Sequence, residues 1–303
     1  MATQEASRTA GVAGRTIVLV VNRAVTHPLP RRKLLEVVSL LRAACPSVEI
    51  AETRDVAEFA HVWASVGADR LILVGGDGSI HAAANAPGPT RELALIPCGS
   101  ANNIARSLGI PLDPLAAAEL AVCGRVHPVD LIEARSAGGS YRVVESVSVG
   151  FLAQARTQFH GSNSGHLVAG ALAGIRALRE FHPLAVHVRR FDAEENLKLA
   201  QLFVANLPLY EFGLHVAPHA DATDGLLDFV GLESDTQLDV LDLVRHLHSG
   251  ELFDRKGVHL WRAEAAHLRP HGSSPVVADS TDLGSGPVEL RAVRAALPLV
   301  RPG

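Results

Sequence analysis

The sequence predicts an α/β protein in two parts. A doubly wound parallel-sheet domain over 15–129 is followed by a mostly antiparallel, sandwich-like β domain with two helices over 130–303. Three observations predict it. Up to about residue 129, short aliphatic runs alternate with helix-period stretches, the rhythm of strand–helix–strand units whose sheet is covered on both faces. Beyond Asp130 the aliphatic runs follow one another across polar turns, as antiparallel strands do. In that second half only 166–180 and 238–248 carry a helical period. The last residues are expected to pack back on the first domain.

The elements follow in order. Residues 1–14 are rich in Ala, Ser, Gly and Thr and read as a loose tail. Aliphatic 17–21 is a strand, 32–44 an amphipathic helix, 48–51 a weaker strand and 55–66 a second helix. A buried strand over 70–74 runs into glycines and a helix from Ser79; 93–96 repeats the strand, and helices follow over 102–108 and 115–122. In the second half, strands are predicted over 131–134, 141–149, 184–189, 199–205, 227–232, 258–261, 266–269 and 288–293. The functional site is expected in the groove between the domains.

Composition narrows the function classes. With 48% hydrophobic and 20% charged residues the chain suits a packed globule, and a net charge of -4 supplies no basic field for nucleic acid. Three cysteines without CxxC spacing fit a reducing cytosol rather than a disulfide or zinc framework. His215 and His219 are four apart, but Pro218 between them forbids the helical face a metal pair of that spacing needs, so no transition-metal site is expected. The apolar runs are far shorter than the roughly 20 residues of a membrane span. The expectation is a cytoplasmic protein.

The stretch LILVGGDGSIH at 71–81 is the most informative. A strand ends in Gly75, Gly76 and Gly78 around the single carboxylate Asp77, and a helix begins at Ser79. Glycines let the backbone turn and approach a ligand closely, and the N–H groups of the helix start attract phosphate. A carboxylate there can serve Mg²⁺ or accept a proton from an attacking hydroxyl. The alternative is a tight strand-to-helix turn with Asp77 as a helix cap. After the next strand, LIPCGSANN at 95–103 repeats the arrangement, with Gly99, Ser100 and Asn102 available to phosphate or ribose, or to cap a helix. Two such turns together make a nucleotide pocket.

On these residues the chain resembles the diacylglycerol kinase catalytic family, which includes bacterial lipid kinases and the sphingosine and ceramide kinases. The run from Gly75 to Ser79 is similar to its GGDG[TS] motif, and PCGSANNIAR at 97–106 to its second glycine segment. Asn22 matches the Asn of its first loop. SVGFLA at 148–153 and APHADATDGLLD at 217–228, with Asn206 upstream, resemble segments of its β domain. The resemblance implies an ATP- and Mg²⁺-dependent kinase that transfers the γ-phosphoryl group to a lipid hydroxyl, diacylglycerol or sphingoid-like, at a membrane visited transiently. It implies a catalytic role for Asp77, nucleotide contacts from Asn22, Gly75, Gly76, Gly78, Ser79, Gly99, Ser100 and Asn102, and metal or bracing roles for Asp224 and Asp228. A homodimer is compatible with it.

The departures are specific. The first loop, NRAVTHP at 22–28, lacks the family glycine, and Arg23 offers a charge instead. Glu211, Phe212 and Gly213 stand where a glycine triplet is usual. Near the C-terminus Asp279 is kept, but Ser280 and Thr281 replace the Gly-Glu of the pattern, whose Glu is implicated as a base. Asp282 is the neighbouring carboxylate taken as its substitute, although a strand would point it to the opposite side. A nucleotide- or lipid-binding regulator and an NAD kinase-like enzyme are the rival readings.

Overall fold

The computed structural model describes residues 15–25, 27–158, 176–190, 193–211, 213–250 and 256–303. The tail expected over 1–14, most of the helix expected over 166–180, Thr26 of the first loop and Phe212 lie outside them. The chain forms two compact units: the residues up to Val129 with Ala295–Gly303, and Asp130–Arg294.

The first unit is built on four parallel strands, β1 (Ile17–Asn22), β2 (Glu49–Thr53), β3 (Arg70–Gly75) and β4 (Glu92–Pro97), in the order β2-β1-β3-β4. Five helices connect and cover them: α1 (Arg31–Ala44), α2 (Val56–Ser65), α3 (Asp77–Ala84), α4 (Asn103–Ser107) and α5 (Pro114–Cys123). Strand β3 is buried along its whole length, which is why it reads as an unbroken aliphatic run rather than an alternating one. Ile17, Leu19 and Val21 of β1, with Ile72, Val74, Ala94 and Ile96, pack against Val37, Val38 and Leu41 of α1 and the alanine face of α5. Each such aliphatic side chain contributes about 1.5–3 kcal/mol when fully buried. Sequence-local signals set the helix starts. Asp55 caps α2 by accepting from the Glu58 amide, and Asp113 caps α5 with Pro114 as its first residue. Leu93 of β4 forms an isolated parallel bridge with Leu299.

The second unit is a pair of six-stranded sheets. Their strands are β5 (Val129–Ser136), β6 (Gly139–Val143), β7 (Ser146–Gly150), β8 (Leu184–Arg190), β9 (Glu194–Leu199), β10 (Gln201–Ala205), β13 (Leu227–Leu232), β14 (Val258–Ala263), β15 (Ala265–Pro270), β16 (Val276–Ala278), β17 (Thr281–Asp282) and β18 (Val288–Leu297). One sheet has the order β14-β13-β10-β7-β16-β17 and the other β6-β5-β18-β15-β8-β9. A small hairpin, β11 (Leu209–Tyr210) with β12 (Leu214–His215), stands apart from both. Alternate residues such as Val147, Val149, Leu202, Val204 and Phe229 meet Val186, Val188, Leu268 and Leu290 in one apolar layer. The outer face of the first sheet is covered by α6 (Phe151–Gln158) and α7 (Gln237–Ser249).

Several boundaries differ from expectation. The strand predicted over 141–149 is two strands, β6 and β7, separated where Val144 and Glu145 turn. That over 199–205 begins later, because Ala200 ends β9 and redirects the chain into β10. The segment after Gly150, for which no element is predicted, is a helix: Gly150 takes φ 119°, a turn that admits a direct strand-to-helix change. The short strands β16 and β17 carry too few residues for a periodicity to show.

Candidate active site

Three loops leave the carboxyl edge of the parallel sheet at neighbouring strands, β1, β3 and β4. Such an edge, at the point where the connections diverge, is where open α/β sheets take ligands. The loops are locked together by contacts only particular residues permit. Asn22, at the end of β1, donates from Nδ2 to Ser79 Oγ at 3.0 Å and accepts the Ala24 amide at 2.9 Å. A Cβ on Gly75 would lie 2.7 Å from the Ser79 Cβ. A Cβ on Gly76 would lie 2.8 Å from the Gly99 Cα, and one on Gly99 would lie 2.8 Å from the Gly76 Cα. The two glycine turns therefore approach backbone to backbone, and each glycine is required by the other.

Gly78 is different. It is exposed at the start of α3, its φ is ordinary, and a Cβ there would meet nothing within 4 Å. Nothing in the described residues explains a glycine at a helical position that alanine would favour by about 1 kcal/mol.

Asp77 bridges the two turns. Its Oδ2 accepts the Asn103 amide and its Oδ1 the Ile104 amide, each at 3.0 Å, so the carboxylate closes the start of α4 from the neighbouring loop. Each oxygen keeps a further lone pair. Asn102 does not project from the loop. In a left-handed conformation at φ 52°, it accepts the Gly99 amide and donates to the Gly99 carbonyl, both at 2.9 Å, so its amide braces the second turn. Ser100 is exposed at the tip. Arg23 is exposed and paired with Glu52, whose carboxyl is held below the usual range by that hydrogen bond.

In the second unit the residues picked out by sequence fall into two groups. Around the turn at 144–146, the buried Asp279 accepts the amides of Val144 and Glu145 at 2.9 Å and of Ser146 at 3.2 Å. Asn206 donates to the carbonyls of Asp130 and Val144, and Asp130 accepts the Gly225 amide at 2.7 Å. Both Asn206 and Asp279 thus hold backbone. Thr281 hydrogen-bonds Tyr141, whose phenol is pushed up by burial. Asp282 is exposed and accepts the Gly284 amide at 2.8 Å, turned away from the buried side of its strand. The second group is Asp224, Asp228 and Arg262. Arg262 Nε donates to Asp228 Oδ1 at 2.7 Å, and its Nη1 is 3.8 Å from Asp224 Oδ2. A guanidinium thus already supplies the positive charge that a metal would bring to these two carboxylates. Sequence reasoning missed Arg262 and Asp130 because both partners are remote in the chain and no local pattern marks them.

The family model for the diacylglycerol kinase catalytic domain matches residues 16–134, and the model described as the YegS C-terminal NAD kinase beta sandwich-like domain matches residues 145–301. A diacylglycerol kinase of Mycobacterium tuberculosis is 30% identical over 243 residues, covering 78% of each chain. A protein of Shewanella frigidimarina named "Probable lipid kinase YegS-like" is 28% identical over 62% of each. Among solved structures, a diacylglycerol kinase of Bacillus anthracis superposes with a TM-score of 0.72 over 95% of this chain and 97% of its own, at 19% identity.

Proposed function

Since the chain belongs to the diacylglycerol kinase catalytic family of lipid kinases, we propose that it transfers the γ-phosphoryl group of Mg-ATP to a lipid hydroxyl, using the loops after β1, β3 and β4 to hold the nucleotide. The observation that carries this reading is Gly78. Gly75, Gly76 and Gly99 are accounted for by the contacts their own side chains would spoil, whereas Gly78 faces open space. A ligand lying close on the start of α3 supplies the missing reason, and phosphate is the chemistry that a helix start favours.

Within this reading the residues take distinct parts. Asn22 and Ser79 tie the first two loops together and Asn102 braces the third from within, so the backbone amides are placed before the nucleotide arrives and little is spent ordering them. Ser100 and Gly78 are the exposed positions left to meet it. Asp77 is the carboxylate nearest those amides, and a carboxylate beside phosphate is repelled unless a cation intervenes. Its spare lone pairs fit Mg²⁺, which when bound would neutralise phosphate charge. Asp224 and Asp228, already engaged by Arg262, are assigned bracing. No helix among the described residues is long and apolar enough to cross a membrane, so the lipid would be met at a membrane surface.

The test is transfer of labelled γ-phosphate from Mg-ATP to dispersed diacylglycerol, monoacylglycerol, phosphatidylglycerol, sphingosine and ceramide, with NAD as a further acceptor and Gly78→Ala as control. Label on a lipid that falls sharply in Gly78→Ala supports the reading. Label on NAD alone overturns it.

Thr281 favours one rival, a regulator that binds without turning over. A hydroxyl bonded to Tyr141 does not accept a proton as a carboxylate does. If that absence limits the reaction, Thr281→Glu raises kcat by about 10²-fold or more, the usual worth of a general base, while leaving nucleotide affinity unchanged.

A further inference from the structure

Helices α6 and α7 lie on the first sheet of the second unit. On the other sheet β8 and β15 are interior neighbours, and their outer face looks into solvent. Both strands alternate, apolar residues entering the core and the rest pointing out. The outward positions are Ala185, His187 and Arg189 on β8 and Ala265, His267 and Arg269 on β15, with no carboxylate among them. Arg291 of β18, exposed and opposite Ala265, continues the basic row.

The register makes this face unusual. Arg189 stands opposite His267 and Arg269 opposite His187, so neither pair supplies the opposite charge that stabilises a cross-strand pair. Carboxylates stand on the flanking strands without neutralising the arginines. Glu194 of β9, in register with Arg189, bonds instead to His187 Nε2 at 2.8 Å, and Glu289 of β18 is in register with His267. Among the described residues no carboxylate lies in ion-pair range of Arg189, Arg269 or Arg291, whereas Arg190 pairs with Glu195 and Lys198 with Asp235. Three guanidinium groups are thus held on one face, in a chain whose net charge is -4. Arg189 and Arg269 are diagonal neighbours there, about 7–8 Å apart at the backbone end.

We propose that the outer face of β8, β15 and β18 docks the protein on an anionic membrane surface, where Arg189, Arg269 and Arg291 meet the phosphates of acidic lipids. The inference rests on the lipid kinase reading, which brings the chain to a membrane; it adds which face touches the lipid and what charge that lipid carries. An arginine at an anionic leaflet is worth about fivefold in partition, the equivalent of about 1 kcal/mol. A membrane fits better than nucleic acid, because the three arginines lie across a sheet face and the remainder of an acidic chain adds no wider basic field. Docking needs neither ATP nor turnover, so its failure and that of the kinase reading are separable.

Flotation of the full-length chain with lipid vesicles, in the absence of nucleotide, reads the docking directly. Binding is expected to vesicles of equal parts phosphatidylcholine and phosphatidylglycerol, to weaken as salt is raised, and to be absent with phosphatidylcholine alone. Replacing Arg189→Gln together with Arg269→Gln, both at exposed positions, is expected to weaken it roughly 25-fold. Arg245→Gln removes an equally exposed arginine from α7 and is expected to leave it unchanged. Phosphoryl transfer to a detergent-dispersed lipid, which requires no docking, is expected to be the same in the double variant as in the parent. No flotation with the mixed vesicles, equal flotation with phosphatidylcholine alone, an equal loss in Arg245→Gln, or tighter binding to a DNA oligonucleotide than to the mixed vesicles would each overturn the proposal.

Discussion

Alanine at Gly76 and alanine at Gly78, two residues apart in one motif, are expected to act in opposite directions. At Gly76 the new Cβ sits 2.8 Å from the Gly99 Cα. Carbon atoms rest at about 3.5–4.0 Å, so the two turns must part by roughly 0.7 Å or more. Overpacking of this kind costs about 1–3 kcal/mol, which for a chain of 303 residues lowers the Tm by roughly 2 to 5 °C. At Gly78 the new Cβ meets nothing and replaces a flexible residue inside a helix. The folded state is expected to gain about 0.4–1 kcal/mol, a Tm rise of roughly 0.6 to 1.6 °C. Binding should show the reverse order. Gly78→Ala puts a methyl where a phosphate has to approach and is expected to weaken Mg-ATP at least tenfold, about 1.4 kcal/mol. Thermal unfolding of both variants and calorimetric titration with Mg-ATP measure the two effects. A Gly78→Ala chain that is stabilised yet binds Mg-ATP as the parent does would falsify the reading of Gly78 as a ligand position. A Gly76→Ala chain of parental stability would refute the backbone contact between the turns.

Further expectations follow from named contacts. Asp77→Asn keeps one acceptor for the two amides of Asn103 and Ile104 and is expected to cost about 0.5–2 kcal/mol of stability, as lost helix caps do; its activity is therefore to be compared at matched fraction folded. Asp279→Asn preserves a residue type tolerant of the left-handed φ of 50° but turns an N–H₂ toward the amides of Val144, Glu145 and Ser146. A loss of about 2–3 kcal/mol in denaturant unfolding is expected, and an unchanged midpoint would show that the carboxylate is not the brace. Burial pushes the Cys98 thiol from 9.0 up to about 11. Its folded value thus lies above its unfolded one, so the contribution is intact below about pH 9 and is lost as the pH rises through about 11. At pH 9 iodoacetamide should modify the exposed Cys123 and spare Cys98 until the chain is unfolded, as peptide mass mapping would show.

The sequence by itself determined the architecture where its signals are local. The aliphatic run over 70–74 had to be a strand buried on both faces, Asp55 and Asp113 had to start helices, and the glycines of 75–78 had to follow a strand. Each of these depends on residues within a few positions of one another, through backbone sterics and capping. The family, too, was legible, because its motifs are short and ordered along the chain. What only the tertiary structure decided is what each motif residue touches. Gly76 and Gly99 explain one another across 23 residues, Asp77 caps a helix that begins 26 residues later, and Asp279 holds amides more than 130 residues before it. Asn102, a donor by composition, proves to be spent on its own loop, and the carboxylates Asp224 and Asp228 prove to face Arg262. A side chain's hydrogen-bonding capacity is a property of its type. Whether that capacity is left for a ligand depends on which remote backbone or charge the fold brings within about 3 Å, and no periodicity records that.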